Sequence, residues 1–392
     1  MDKQFDQAIR IAADVEYVII RGFTLRGGRK HGILFEEASR HIVIEDNDSS
    51  DWGEATPSGF GVDYQGGIHA EYVEIAKTVI QRNKIHHPST DSNSWAETNS
   101  EGFHPVGPQG ITLYSNDEGN NVIRYNEIWS DNDHYFNDGM GGKDNYSWQG
   151  FPGPDSDIYG NYVANAWDDG IEAEGSGANV RIWNNYIDNT FLPIGNANTS
   201  IGPMYIWNNV SGRVYSPPNS EFGQFASFVK MGYAEDVDGM TGHLYVFNNT
   251  VLQPNGEGAG GLGATEDGDG VEMFQCETRN NILHVQGQSN SITKRNGNVG
   301  NSHDYDLTSG SFPNGEEQNG FVGQPTYEAG APSFDFDTKT GNFRLAPSSL
   351  GHDGAVIIPN FTHDYEGSGP DVGAHESGTP DLVYGVSANA TL

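Results

Sequence analysis

The stretch that decides the fold is Val180-Arg181-Ile182-Trp183-Asn184-Asn185, answered 24 residues later by Met204-Tyr205-Ile206-Trp207-Asn208-Asn209. Its core is a β-branched or apolar residue, two further residues, then Asn. The same phrase occurs at Ile44–Asn47, Ile80–Asn83, Ile123–Asn126, Ile158–Asn161 and Val246–Asn249, with a degenerate copy ending at Asn281. Successive Asn residues are 36, 43, 35, 24, 24, 40 and 32 apart. The recurring minimum reads as one bare coil, and the longer intervals as that coil plus a loop. A fixed unit of this length is the mark of a solenoid. Leucine-rich repeats have a similar period, but Leu is scarce here and keeps no consensus spacing.

A second phrase runs in phase with the first. Gly32-Ile33, Gly67-Ile68, Gly110-Ile111 and Gly170-Ile171 precede their Asn by 15 or 16 residues; Gly139-Met140 precedes Asn161 by 22, with the insert Gly150–Pro154 between. Each coil therefore has at least two aligned strands. Alternation at Val180 and Ile182, and at Leu244 and Val246, gives those strands one inward face. Stacked coils sit at the ordinary strand spacing, and the Asn side chains are expected to ladder at the turns. The expected fold is all-β: a right-handed parallel β-helix with long loops, in one domain spanning 1–392. Coils are expected over about 14–297, and an irregular looping or capping tail over about 298–392. Within that tail, Asp371–Glu376 is the segment expected to return a strand to the helix.

Composition narrows the partners. There are 54 Asp and Glu against 20 Lys and Arg, a net charge of −34, which repels nucleic acid and anionic membranes. The single Cys276 excludes an internal disulfide framework, and no apolar run is long enough for a membrane span. Residues 1–7 are polar and not a signal peptide. A secreted, cell-surface or periplasmic protein whose signal has been removed is expected, and the early first strand leaves room for an upstream part of the helix. The sequence carries no catalytic triad, no zinc-type spacing around His31, His104 or His134, and no phosphate-binding Gly loop.

Because coils align, residues at one offset form a column. The position before the Gly of the second phrase holds His31, Gly66, Gln109, Asp138 and Asp169 in successive coils. Two neighbouring coils thus stack carboxylates, with Asp168, Glu172 and Glu174 beside them. Such a cluster repels itself and raises its own pKa values unless a hard cation such as Ca²⁺ joins it; the plain alternative is two solvated acidic turns. Lys143 closes the strand begun at Asp138. Lys230, in Phe228-Val229-Lys230-Met231-Gly232, lies on the same face two coils on, where desolvation would favour its neutral form. Its alternative is a snorkelling surface Lys.

These three phrases, Asn137–Lys143, Asp168–Glu172 and Phe228–Gly232, resemble in kind and order those of the family 9 polysaccharide lyases, parallel β-helix pectate lyases. The resemblance covers about 100 residues. It implies Asp138, Asp168, Asp169 and Glu172 as ligands of one Ca²⁺ and Lys230 as Brønsted base, with Lys143 in reserve. Glu172 stands where the family has Asp, and an extra coil, Asn189–Asn209, separates it from Lys230. The implied substrate is an acidic, uronate-containing polysaccharide cleaved by β-elimination, by a protein expected to act as a monomer. Arg181 and Arg213 are candidates for substrate carboxylates, against a structural role for each. Tyr146 and Trp148 are candidates for a sugar-stacking platform, whereas Trp183 and Trp207 are expected to stack on the outer face. Two other readings remain open: a glycoside hydrolase using Asp138, Asp168 and Asp169, and a β-helix that binds glycans without cleaving them. The Gly-His-Gly and Arg-Ile-Lys phrases of the polygalacturonases are absent.

Overall fold

A computed structural model describes the chain except residues 1–3, 71–73, 100–101, 114–117, 144–148, 176, 197–200, 215–226, 232–241, 253–259, 264–274, 286–289, 293–299, 363 and 392. Among the described residues the strands form two long parallel sheets of 19 and 11 strands, plus a small antiparallel sheet of Ser333–Asp335, Thr340–Asn342 and Leu382–Val383. No α-helix occurs among them; one 3₁₀ segment covers Gly385–Thr391. The protein is an all-β, right-handed parallel β-helix, as the two in-phase repeats predict.

Register explains the repeat. Ile80, Ile123, Ile158, Ile182, Ile206 and Val246 pair in sequence up one sheet, all buried in a single continuous core. Burying each such side chain contributes roughly 1.5–3 kcal/mol. Ile33, Ile68, Ile111, Met140, Ile171, Ile194, Val229 and Leu262 form the matching column of the other sheet. The Gly before each apolar residue in the second phrase has a steric reason. At Gly110 a Cβ would lie 2.4 Å from the Gly139 carbonyl oxygen and 2.6 Å from Ile128 Cγ2.

The Asn residues form one buried ladder. The backbone N–H and Nδ2 of Asn161 both donate to Asn185 Oδ1, those of Asn185 to Asn209 Oδ1, and the pattern runs from Asn47 to Asn281. Each Nδ2 also donates to a carbonyl of the preceding coil, as Asn185 does to Ile158 O. The residue before each rung has a positive φ, 52° at Asn184 and 53° at Asn208, which turns the chain between the two sheets. The ladder ends on Asp306, whose Oδ1 accepts both bonds from Asn281. Parallel pairing nevertheless continues through Leu307–Thr308 and Phe321–Val322. The Asn phrase fades before the stacking does, because an Asp accepts the same bonds but has no amide to pass them on.

Outside, Tyr159, Trp183 and Trp207 stack with centroids 4.1 and 5.4 Å apart, the outer-face arrangement expected for the two Trp residues. The C-terminal part covers these flanks. Phe361 packs edge-on against Trp207, and Phe334 stacks on Tyr186 at 3.6 Å and 2°. Asp371–Glu376 returns to the helix, but by packing rather than as a strand. Val372 is buried against Ile282 and Leu307, and Gly373 N donates to Asn280 O.

Candidate active site

Five strands build the site: β1 (Gln109–Leu113), β2 (Met140–Gly141), β3 (Tyr162–Glu172), β4 (Tyr186–Asn196) and β5 (Ser227–Met231). They stack in that order, β1 on β2, β2 on β3, β3 on β4, β4 on β5. Strand β3 carries a bulge between Ala166 and Asp169, which re-aims Asp168 and Asp169 as the strand rounds a corner. Asp168, Asp169 and Glu172 are therefore carried on β3, and Asp138 lies two residues before β2.

The column read from sequence is present. Gln109 Nε2 donates to Asp138 Oδ2 at 2.5 Å, and Asp169 N donates to Asp138 Oδ1 at 3.0 Å. One oxygen each of Asp138, Asp169 and Glu172 lie within 4.8 Å of one another, and all three residues are buried. Burial first, and then Asp168 and Asp169, push Asp138 well above the usual carboxylate range. Burial raises Asp169 too, against the pull of Lys230, and raises Glu172 with Asp138 adding to it. Asp168 sits at the edge of this group, its Oδ2 3.5 Å from His104 Nε2.

Lys230 comes to the same place. Its Nζ lies 3.1 Å from Asp169 Oδ2 and 2.6 Å from Glu174 Oε1. In register, Glu172 pairs Gly195 and Gly195 pairs Lys230, so one coil intervenes. That coil contributes no side chain at the crossing point, and the extra coil does not hold the lysine away from the acids. Burial opposes the ammonium, but Asp169, Glu174, Asp168 and Glu172 outweigh it and hold Lys230 well above its ordinary range. The expectation that desolvation lowers it is thus corrected: the surrounding carboxylates prevail.

The other candidates scatter. Lys143 is exposed at the end of its phrase, its Nζ 5.4 Å from the centroid of Tyr64. Arg181 belongs to the second sheet and is paired with Asp157 through Nε and Nη2 at 2.6 and 2.8 Å. Arg213 is bound by Asp188 and lies over the Phe336 ring of the C-terminal part. Neither arginine joins the acids; each has a structural partner. Tyr146 and Trp148 lie outside the described residues.

Sequence reasoning assigned no ligand or catalytic role to six neighbours. Glu174 repeats the β alternation of Glu172, and that spacing was the available signal. Asp63, whose Oδ1 accepts from Asn137 Nδ2 at 3.2 Å, and His104 come from loops that carry no repeat signal. Buried Asn93 shapes the His104 loop, donating to the carbonyls of Ser94, Glu97 and His104 and accepting from Val106 N. Trp95, packed with Phe191, holds that loop against the helix and meets the His104 ring at 4.8 Å. Gly195 matters through what it leaves open.

The donor set suits a hard cation. It is all carboxylate oxygen, one lysine faces several acids, and buried Asp169 Oδ1 has no hydrogen-bond partner.

The model of the right handed beta helix region family matches residues 7–212, just over half of the chain, and the protein belongs to that family. Among solved structures, pectate lyase Pel9A is 16% identical with a TM-score of 0.48, over 88% of this chain and 73% of its own. XylC in complex with xylose is 14% identical with a TM-score of 0.43, over 80% of this chain and 56% of its own. The PL6 family alginate lyase AlyGC is 13% identical with a TM-score of 0.34, over 91% of this chain and 53% of its own. The curated proteins give no match. Family membership establishes the fold and no activity.

Proposed function

We propose that this protein is an exported polysaccharide lyase that cleaves a uronic-acid-containing, pectate-like polysaccharide by β-elimination, as a monomer. Asp138, Asp169 and Glu172, with Asp168 at the edge, would hold Ca²⁺, and Lys230 would be the base. The observation that carries the reading is Lys230 Nζ set 3.1 Å from Asp169 Oδ2, at the three-carboxylate cluster.

Bound Ca²⁺ would neutralise the uronate carboxylate and stabilise negative charge that develops at C5. The residues of the chain supply the rest. Asp138, Asp169 and Glu172 would fix the position of the cation's positive charge. Lys230 Nζ takes the C5 proton as the C4–oxygen bond breaks, a C4–C5 double bond forms, and the departing oxygen takes a proton from solvent. Lys230 has to be neutral for this step, so the field of its acidic neighbours has to be offset. That requirement couples the base to the cation. Against a net charge of −34, the cation also provides a means of holding an acidic chain.

A hydrolase reading keeps one point in its favour: burial holds Asp138 toward its protonated form, which suits a general acid. Incubation with a panel of uronans, with and without chelator, separates the two. Calcium-dependent appearance of an ultraviolet-absorbing unsaturated end supports the lyase. New reducing ends without absorbance would overturn it in favour of hydrolysis, and neither product would leave only glycan binding.

A further inference from the structure

The column that carries Asp138 and Asp169 holds Gln109 one coil earlier, and Gln109 meets Thr112 within the same strand, β1. Both side chains are fully buried, and Asp138 is only 3% exposed. In the coil before them Gly66 pairs Gln109 and leaves room for the threonine: a Cβ there would lie 3.0 Å from Thr112 Oγ1.

The hydrogen bonds of this group run in one direction. Gln109 Nε2 donates to Asp138 Oδ2 at 2.5 Å, so the amide oxygen Oε1 points the other way, and Thr112 Oγ1 lies 2.6 Å from it. An amide oxygen only accepts, so the threonine hydroxyl donates to it. Tyr64 O, at 3.5 Å, is the more distant acceptor for the same proton. Thr112 thus satisfies the one atom of the amide that cannot face a carboxylate. Asp169 N donates to the other oxygen, Asp138 Oδ1, at 3.0 Å. Each oxygen of Asp138 therefore accepts one bond and keeps a lone-pair direction free of it, and the carboxylate is pinned at both ends.

We propose that Gln109 and Thr112 are positioning residues of the candidate calcium site. Gln109 sets the orientation in which Asp138 presents its remaining lone pairs beside Asp169 and Glu172, and Thr112 acts through Gln109 by holding the amide the right way round. The inference rests on the calcium reading given above and adds to it two side chains that are not ligands. Carboxylates that bind metal draw their orientation from outer hydrogen bonds of this kind. A buried polar pair also costs desolvation that an apolar pair in the same place would avoid. What this pair supplies in return is a donor aimed at Asp138.

The test is calorimetric titration of the full chain with Ca²⁺, reading the site that Asp169→Asn weakens, beside thermal melting in chelator. Gln109→Met keeps the length of the side chain and removes the donor; it should weaken calcium binding by about tenfold to 100-fold. Thr112→Val should weaken it by about fivefold, and Thr112→Ser, which keeps the hydroxyl, should bind as the wild type does. Adding Thr112→Val to Gln109→Met should weaken binding no further, because the hydroxyl then has no amide to hold. Should Gln109→Met fail to fold, the contrast between Thr112→Val and Thr112→Ser decides. Calcium bound equally well by the wild type and the single variants, with only the melting temperature in chelator lowered, would overturn the positioning role and leave the calcium site standing. Losses that simply add in the double variant, or a Thr112→Ser as weak as Thr112→Val, would overturn it too. A wild type that binds no calcium would overturn the site and this inference together.

Discussion

Lys230 reaches Asp169, 61 residues earlier in the chain and across an intervening coil, because that coil presents Gly195 between them. A Cβ at Gly195 would lie 2.0 Å from Asp169 Oδ2 and 3.1 Å from Glu174 Oε1. Gly195→Ala should therefore push the carboxylate off Lys230. We expect a stability loss of about 1–3 kcal/mol and a larger proportional loss of turnover on whichever uronan the wild type cleaves. Chemical denaturation and product absorbance measure the two separately; an unchanged turnover would show that the Lys230–Asp169 contact is not used.

Lys230→Ala should abolish most turnover, by roughly 100-fold to 10,000-fold. It also leaves buried Asp169 and Glu174 without their cation. Removing one partner of a buried ion pair costs about 3–5 kcal/mol, so the variant should melt earlier in chelator and recover much of the difference when calcium is added. Full activity in Lys230→Ala would reject the base assignment, and full activity also in Lys143→Ala would reject a lysine-based lyase.

Asp169→Asn should separate calcium binding from intrinsic stability. It removes one of several mutually repelling buried charges, so the calcium-free melting temperature should hold or rise. The stabilisation that calcium gives the wild type, about 2.7 kcal/mol at a hundredfold excess over Kd, should shrink or vanish. Calorimetry showing unchanged calcium affinity would remove Asp169 from the ligand set.

The end of the Asn ladder predicts a pH dependence. Glu317 Oε2 accepts from Asp306 N at 3.0 Å, and burial first, then Asp306, push Glu317 up to about 10. Between the ordinary glutamate value of 4.5 and about 10 the folded chain retains a proton that the unfolded chain releases. Its contribution to stability therefore falls as pH rises through that window. Glu317→Gln keeps an acceptor for Asp306 N and should flatten the alkaline side of the stability profile. A slope identical to that of the wild type would sink the assignment.

Much of this was legible in the sequence, for a physical reason. Asn161, Asn185 and Asn209 recur because each must bond the next, so the repeat is a direct trace of the ladder. The column Gln109, Asp138, Asp169 followed from that register alone. What escaped depends on groups with no periodic partner. His104 reaches Asp168 on a loop shaped by Asn93, and Glu174 claims Lys230 through a contact across coils. Arg181 and Arg213 look free in sequence because Asp157 and Asp188, which bind them, lie 24 and 25 residues earlier. The direction of the Lys230 shift also needed the structure, since burial and carboxylates oppose each other and only the geometry shows which prevails.

The rungs of the Asn ladder sit at the same point of every coil whether the chain between them runs 24 or 43 residues. The cylinder thus behaves as a ruler with detachable fittings. Excursions of any length can be grafted, trimmed or exchanged between rungs without moving the next mark. A lineage built this way is free to remodel the loops around the site, and hence what fits there, while the acids of β3 and the lysine of β5 stay where they are. The same property makes it a scaffold in which a designer can swap loops one at a time.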